Sequence, residues 1–132
     1  STGNYSVRPI ISVPRESRTL DYILGFSNKH KLQVIREGMR LAVTDQNIGT
    51  VRSLHVSGID VAAKSGTAEL GMKKDRVNSW VTGYFPYDNP KYAFVVIMES
   101  GDVKNLVGAS SVMRQLLQYI VENKEDFKYI LD

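Results

Sequence analysis

Apolar residues recur at helical spacing in SNKHKLQVIREGMRLAVTD, Ser27 to Asp45, at Leu32, Ile35 and Met39, and Val43 continues the stripe. The spacing predicts an amphipathic helix with Ser27 or Asn28 as N-cap and Gly49 of QNIGT as breaker. A second helix is predicted in NLVGASSVMRQLLQYIVEN, Asn105 to Asn123, on Val112, Leu116, Tyr119 and Ile120. Between them the pattern becomes strand-like. Ile59 to Lys64 reads as a first strand, and Asn78 to Asp88 as a second, with Trp80, Thr82 and Tyr84 alternating. Lys91 to Ser100 reads as a third, whose nearly continuous apolar run predicts burial on both faces. NYSVRPIISVP, Asn4 to Pro14, reads as an edge strand or extended connector because proline cannot donate to a ladder. Arg15 to Phe26 is turn-like, and KEDFKYILD is a charged tail. Short connections favour antiparallel pairing. The expected fold class is α+β: an antiparallel sheet of about three strands flanked by helices.

Composition narrows the function classes. The 132 residues fit one domain, large enough for a hydrophobic core but small for a complete enzyme with a deep cleft. Apolar residues make up 42% and charged residues 23%, the balance of a soluble globular chain. The net charge of +3 is scattered among acids, and MKKDR, Met72 to Arg76, reads as a solvated loop. No basic stripe interleaved with aromatics argues for nucleic acid. Cysteine is absent, which excludes disulfides and thiolate chemistry. His30 and His55 stand far apart with no ligand spacing, so no metal or other cofactor is expected. No apolar run is long enough to span a membrane, and STGNYSVRP has no signal-peptide pattern; a soluble chain without an anchor is expected. It reads as an excised piece, with no initiator Met and a polar turn feeding straight into an extended segment.

Candidate chemistry lies in GIDVAAKSGTAELG, Gly58 to Gly71. Taken alone, Lys-Ser-Gly-Thr is what a strand ending in a turn would show, with Gly66 giving backbone freedom and Lys64 reaching water. A functional arrangement uses the same residues differently. Ser65 and Thr67, on alternate positions of a strand, point to one face and can both meet a carboxylate, while Lys64 adds positive potential beside them. Gly66 lets a peptide backbone lie against the strand, which could pair with it by strand addition. A backbone N–H just past the glycine could donate to an oxyanion.

The surroundings resemble the high-molecular-weight penicillin-binding proteins, whose third active-site element is Lys-Thr/Ser-Gly. REGMRLAV followed by GT resembles the helix and turn before that element. VAAKSGTAE resembles the element itself, with the Thr-Ala continuation of the class B members. NSWVTGYFPYDNPKYAFVVIMES resembles the two strands after it, and NYSVRPII an extended segment ending in Arg-Pro. The resemblance runs in order over essentially the whole chain and implies a partial penicillin-binding, serine β-lactamase-like transpeptidase fold. It implies that Lys64 and Thr67 are catalytic, Lys64 in the proton-managing network and the Thr67 N–H as half of the oxyanion hole. Ser65, Gly66 and Thr67 would bind the terminal carboxylate of a D-Ala-D-Ala stem peptide or of a β-lactam.

The same family requires Ser-x-x-Lys and Ser-x-Asn, and neither occurs; Lys104 follows Ser100 one residue too late. Tyr87 to Asn89 matches a Tyr-x-Asn variant but follows Lys64, whereas the family places that element before it. Residues 1–132 are therefore expected to be the C-terminal portion of a transpeptidase domain, inactive without the missing N-terminal half. The parent is expected at the outer face of the bacterial cytoplasmic membrane. Two alternatives stay open: a β-lactamase or carboxypeptidase relative, and a non-catalytic peptide-binding domain on the same fold. Self-association through an exposed edge is also expected. Trp80 and the four methionines read as packing residues, and Glu69 as a surface carboxylate able to modulate Lys64.

Overall fold

The computed structural model describes residues 29–105 and 107–131; the expected extended segment Asn4 to Pro14, the turn-like Arg15 to Phe26 and the N-cap at Ser27 or Asn28 lie outside them. Helix α1 spans Lys29–Thr44 and is followed by a 3-10 turn at Arg52–Leu54. Strands β1 (Ala62–Leu70), β2 (Arg76–Phe85) and β3 (Tyr92–Asp102) form one antiparallel sheet in that order. Helix α2 spans Ala109–Glu122, and a short α3 at Lys128–Leu131 falls in the expected charged tail. The expected three-stranded antiparallel sheet with a helix on either side in sequence is the fold observed.

Strand register sorts the side chains. On one face lie Ala63, Ser65 and Thr67 of β1, Ser79, Val81 and Gly83 of β2, and Phe94, Val96 and Met98 of β3. Helix α2 covers most of this face with Ala109, Met113, Leu117 and Ile120, which recur every three or four residues. Val43, Val51, Leu54 and Val61 close the core at the α1 side. Burying a side chain such as Leu54 or Leu117 stabilises by about 1.5–3 kcal/mol. Sequence reading placed the apolar face of α2 on Val112, Leu116 and Tyr119, which are exposed; only Ile120 of that set is core. The helix carries two neighbouring apolar stripes, and the one containing the small Ala109 can approach Ser79 closely enough for a hydrogen bond.

Three further expectations are corrected. β1 begins at Ala62 rather than Ile59 and continues through the Lys-Ser-Gly-Thr segment to Leu70, so that segment is mid-strand. Ile59 is buried but belongs to an isolated bridge with Val56. β3 is not buried on both faces: Val95 is 63% and Ile97 42% exposed, while their neighbours Phe94, Val96 and Met98 pack on the core. Among the described residues no element covers that outer face of β3. Met72, expected to pack, is fully exposed at the tip of the β1–β2 hairpin.

α1 reaches the core mainly through its C-terminal end, and Leu32 and Ile35 are exposed. Polar anchors hold its middle instead. Arg36 donates to the Tyr87 carbonyl at 2.8 Å and lies 5.6–5.8 Å from the Tyr84 and Tyr87 ring centres. One turn later Arg40 donates to the Val61 carbonyl at 2.9 Å and pairs with Asp60. These contacts fix α1 beside β1 just before the strand enters its Lys-Ser-Gly-Thr stretch.

Candidate active-site cleft

The face that is buried under α2 at Ala63 opens into a cleft at Ser65 and Thr67, because α2 begins only above Ser79. The cleft has a volume of about 350 Å³. Ser65, Gly66 and Thr67 form one wall, Ser79 and Trp80 of β2 lie beside them, and Gly108 and Ser110 at the start of α2 close one end. Asp102, the last residue of the irregular end of β3, and Asn105 beyond it form the far side.

That far side is shaped by a bulge. The β2–β3 register shifts between Val77 and Ser79, and Ser100 adopts a left-handed φ of 54°. The Asn78 side chain accepts the Ser100 N–H at 2.8 Å, and Arg76 donates to the Ser100 carbonyl at 2.9 Å. Such an inserted residue re-aims the strand end, and here it carries Gly101 and Asp102 to the cleft.

The lining is rich in hydroxyls. Thr50 joins Ser65, Thr67, Ser79 and Ser110, and the Ser65 hydroxyl donates to Thr50 Oγ1 at 3.5 Å. Hydroxyl and amide donors suit an anion, whose hydrogen bonds are stronger than those of a neutral acceptor. Ser65 is half-buried and Thr67 exposed. Lys64 points to the opposite face of β1, paired across the strands with Thr82, and does not line the cleft. Its Nζ donates to the Ser65 carbonyl at 2.5 Å. The lysine therefore grips the backbone of the strand rather than standing beside the two hydroxyls. Glu69 pairs with Lys74 at 3.0 Å at the hairpin tip.

Gly66 faces Trp80 across the strands, and a Cβ built on it would meet the Trp80 Cβ at an ordinary 3.6 Å. Packing does not demand glycine there. Trp80, expected as a packing anchor, is 40% exposed and borders the cleft.

Sequence reading did not single out Thr50, Ser79, Ser110, Asp102 or Asn105. Ser79 was reachable, since counting back along the hairpin from its turn sets it opposite Thr67. The others come from loops and a helix start, whose approach no periodicity encodes. A second depression of about 480 Å³, lined by His55, Ser57, Asp60 and Pro86, contains none of the Lys-Ser-Gly-Thr residues. Among the described residues no three His, Cys, Asp or Glu side chains gather as metal ligands, and no helix is long and apolar enough to cross a membrane.

The comparisons with known proteins agree on one family. Residues 24–118 match the penicillin binding protein transpeptidase domain. The chain is 31% identical over 103 residues to the peptidoglycan D,D-transpeptidase MrdA of Escherichia coli, covering 67% of this chain and 16% of that protein. The fold matches a penicillin-binding protein (PBP2) from Helicobacter pylori at 29% identity and a TM-score of 0.53, over 72% of this chain and 16% of the other. It also matches a structure of the complex between PBP2 and MreC from the same organism, at 31% identity and a TM-score of 0.54, over 75% and 18%. The chain spans 16–17% of the length of the curated relatives it matches. It belongs to the penicillin-binding protein transpeptidase domain family.

Proposed function

We propose that residues 1–132 are the C-terminal portion of a peptidoglycan D,D-transpeptidase domain and supply the strand that holds the substrate's terminal carboxylate. The observation that carries this reading is the cleft at Ser65, Gly66 and Thr67, lined by hydroxyls on the edge strand of the sheet. In this reading Ser65 and Thr67 donate to the carboxylate of a D-Ala-D-Ala stem peptide or of a β-lactam. Gly66 admits the peptide backbone, and the Thr67 N–H is one half of the oxyanion hole. Lys64 acts through the backbone it grips and through its positive charge on the proton-managing side of the strand.

The attacking serine comes from elsewhere in the parent protein, because the sequence has no Ser-x-x-Lys. In the assembled site that serine attacks the penultimate D-Ala carbonyl and expels the terminal D-Ala. An amine of a neighbouring stem peptide then takes the acyl group. The chain alone turns nothing over, and its principal partner is the N-terminal half of the domain. The parent works at the outer face of the bacterial cytoplasmic membrane.

Titrating the chain with diacetyl-Lys-D-Ala-D-Ala, followed by amide NMR, tests this. Shifts should centre on 65–67, 79 and 108–110 and vanish for the C-terminal amide of the same peptide. Ser65→Ala and Thr67→Ala should weaken them severalfold. Incubation with penicillin and intact-mass measurement should give no adduct on this chain alone, and an adduct on the upstream half when that is supplied in trans. Binding indifferent to the carboxylate would defeat the reading, as would an adduct on this chain. A non-catalytic peptide-binding domain would bind the peptide but never support the adduct.

A further inference from the structure

We propose that Thr50 is a positioning residue for Ser65: its hydroxyl donates to the Ser65 oxygen when an anion binds, which frees the one Ser65 proton for the ligand. This inference rests on the reading of Ser65 as a carboxylate donor. The two hydroxyl oxygens stand 3.5 Å apart although the residues are fifteen apart in sequence, and both line the cleft. The loop holds Thr50 there from both sides. Gly49 donates its N–H to the Asp45 carbonyl at 3.2 Å, and a Cβ on it would lie 2.5 Å from that oxygen and 3.0 Å from the Ala42 carbonyl. Val51 is buried and donates to the same Ala42 carbonyl at 2.9 Å. Further along, Arg114 of α2 donates to the Ser53 carbonyl at 2.8 Å. Thr50 itself is exposed, so burial does not account for the residue type. Its branched Cβ restricts χ1 and keeps the hydroxyl aimed.

The chemistry follows from counting protons. A hydroxyl has one proton to donate and two lone pairs to accept with. In the free chain the Ser65 proton lies on Thr50 Oγ1 and cannot also serve a carboxylate. An arriving anion reverses the pair: Thr50 O–H turns toward the Ser65 oxygen, and Ser65 O–H turns toward the anion. Both protons rotate about their C–O bonds, and no bond to hydrogen breaks. Two hydroxyls in series polarise one another, so the outer one becomes the stronger donor to a charged acceptor. Valine at position 50 has the shape of threonine without the hydroxyl. Ser65 then meets the anion as a single donor that nothing aims.

Dissociation constants for diacetyl-Lys-D-Ala-D-Ala, measured by amide NMR on the whole chain and its variants, test it. Thr50→Val should raise the constant about fivefold, the weight of one net hydrogen bond. Thr50→Ser should stay within about twofold of the native chain, because it keeps the hydroxyl. In a Ser65→Ala background Thr50→Val should change nothing further, since the relay has lost its outer member. Should valine disturb the turn, seen as shifted Val51 and Leu54 amides, Thr50→Ala replaces it with the same expectation. Native affinity in Thr50→Val beside a loss in Ser65→Ala overturns the inference and leaves the carboxylate reading standing. Equal losses in the valine and serine variants also overturn it, since the hydroxyl would then not be what matters. So does a full additional loss in the Ser65→Ala background, which would put Thr50 on the ligand directly. Native affinity in Ser65→Ala removes the carboxylate role of Ser65 and the inference with it.

Discussion

The Ser79 hydroxyl oxygen accepts the main-chain N–H of Ala109 at 3.0 Å, so the first residue of α2 is tied to the strand position directly opposite Thr67. A Cβ on Gly108 would stand 2.7 Å from that same oxygen. The pair sets how near the helix start stands to the cleft wall formed by Ser65, Gly66 and Thr67. Ser79→Ala removes the acceptor of a helix-start N–H and should cost about 1 kcal/mol in urea unfolding. Amide exchange at Ala109 should quicken about fivefold. Gly108→Ala should cost more than Ser79→Ala, and the double variant less than their sum, because the serine oxygen is the clash. Strict additivity would show that the two do not share this contact.

Two glycines of neighbouring strands predict opposite outcomes. A Cβ on Gly83 would lie 2.3 Å from the Ala62 carbonyl oxygen and 2.6 Å from the Phe94 ring, neither free to move. Gly83→Ala should therefore destabilise by about 3 kcal/mol. Gly66→Ala meets only ordinary contact and should leave the melting temperature nearly unchanged. If Gly66 serves the approach of a peptide backbone, its alanine variant loses carboxylate-ligand binding while staying folded. Retained binding in a folded Gly66→Ala chain would remove that role.

Arg40 makes two interactions of unequal weight. Its partner Asp60 is largely open to water, where an ion pair contributes at most about 1 kcal/mol. The Val61 carbonyl belongs to a fully buried residue, and without Arg40 it loses a charge-assisted donor. Arg40→Ala should cost about 2 kcal/mol, and Asp60→Asn less than half of that. Equal losses in denaturant titrations would mean that the ion pair, not the carbonyl bond, holds α1 to the start of β1.

The sheet was legible because alternation and short turns constrain it. Trp80, Thr82 and Tyr84 share a face in β2 as their spacing demands. The burial of β3 was not legible. An unbroken apolar run such as AFVVIM reads as doubly buried, and nothing in the run itself tells how many layers cover it. The face of α2 was misread for a related reason: Val112 and Leu116 are as apolar as Met113 and Leu117, and only the approach of Ala109 to Ser79 chooses between the stripes. At the site, alternation put the Ser65 and Thr67 side chains on one face. The same alternation sends Lys64 to the other, a consequence that the shared tetrapeptide tends to hide.

Asp45 ends α1 by accepting the N–H groups of Asn47 at 2.8 Å and Ile48 at 3.0 Å. The Ile48 bond first, then the Asn47 bond, with the Arg52 charge as a lesser contribution, hold its carboxyl below the ordinary aspartate value. A folded-state value lower than the unfolded one means that the native chain binds the proton less readily. The resulting stabilisation is complete above the unfolded value and disappears as pH falls through the lowered folded value. Melting temperatures of the native chain and of Asp45→Asn, followed from neutral to strongly acidic pH, check this. The native chain should be the more stable at neutral pH by a small margin, since the carboxylate is open to water. The margin should close in the acid range just below the ordinary aspartate value. Asparagine keeps an acceptor oxygen but carries no charge, so a margin constant across that range would show that geometry alone, and not the carboxylate, stops the helix.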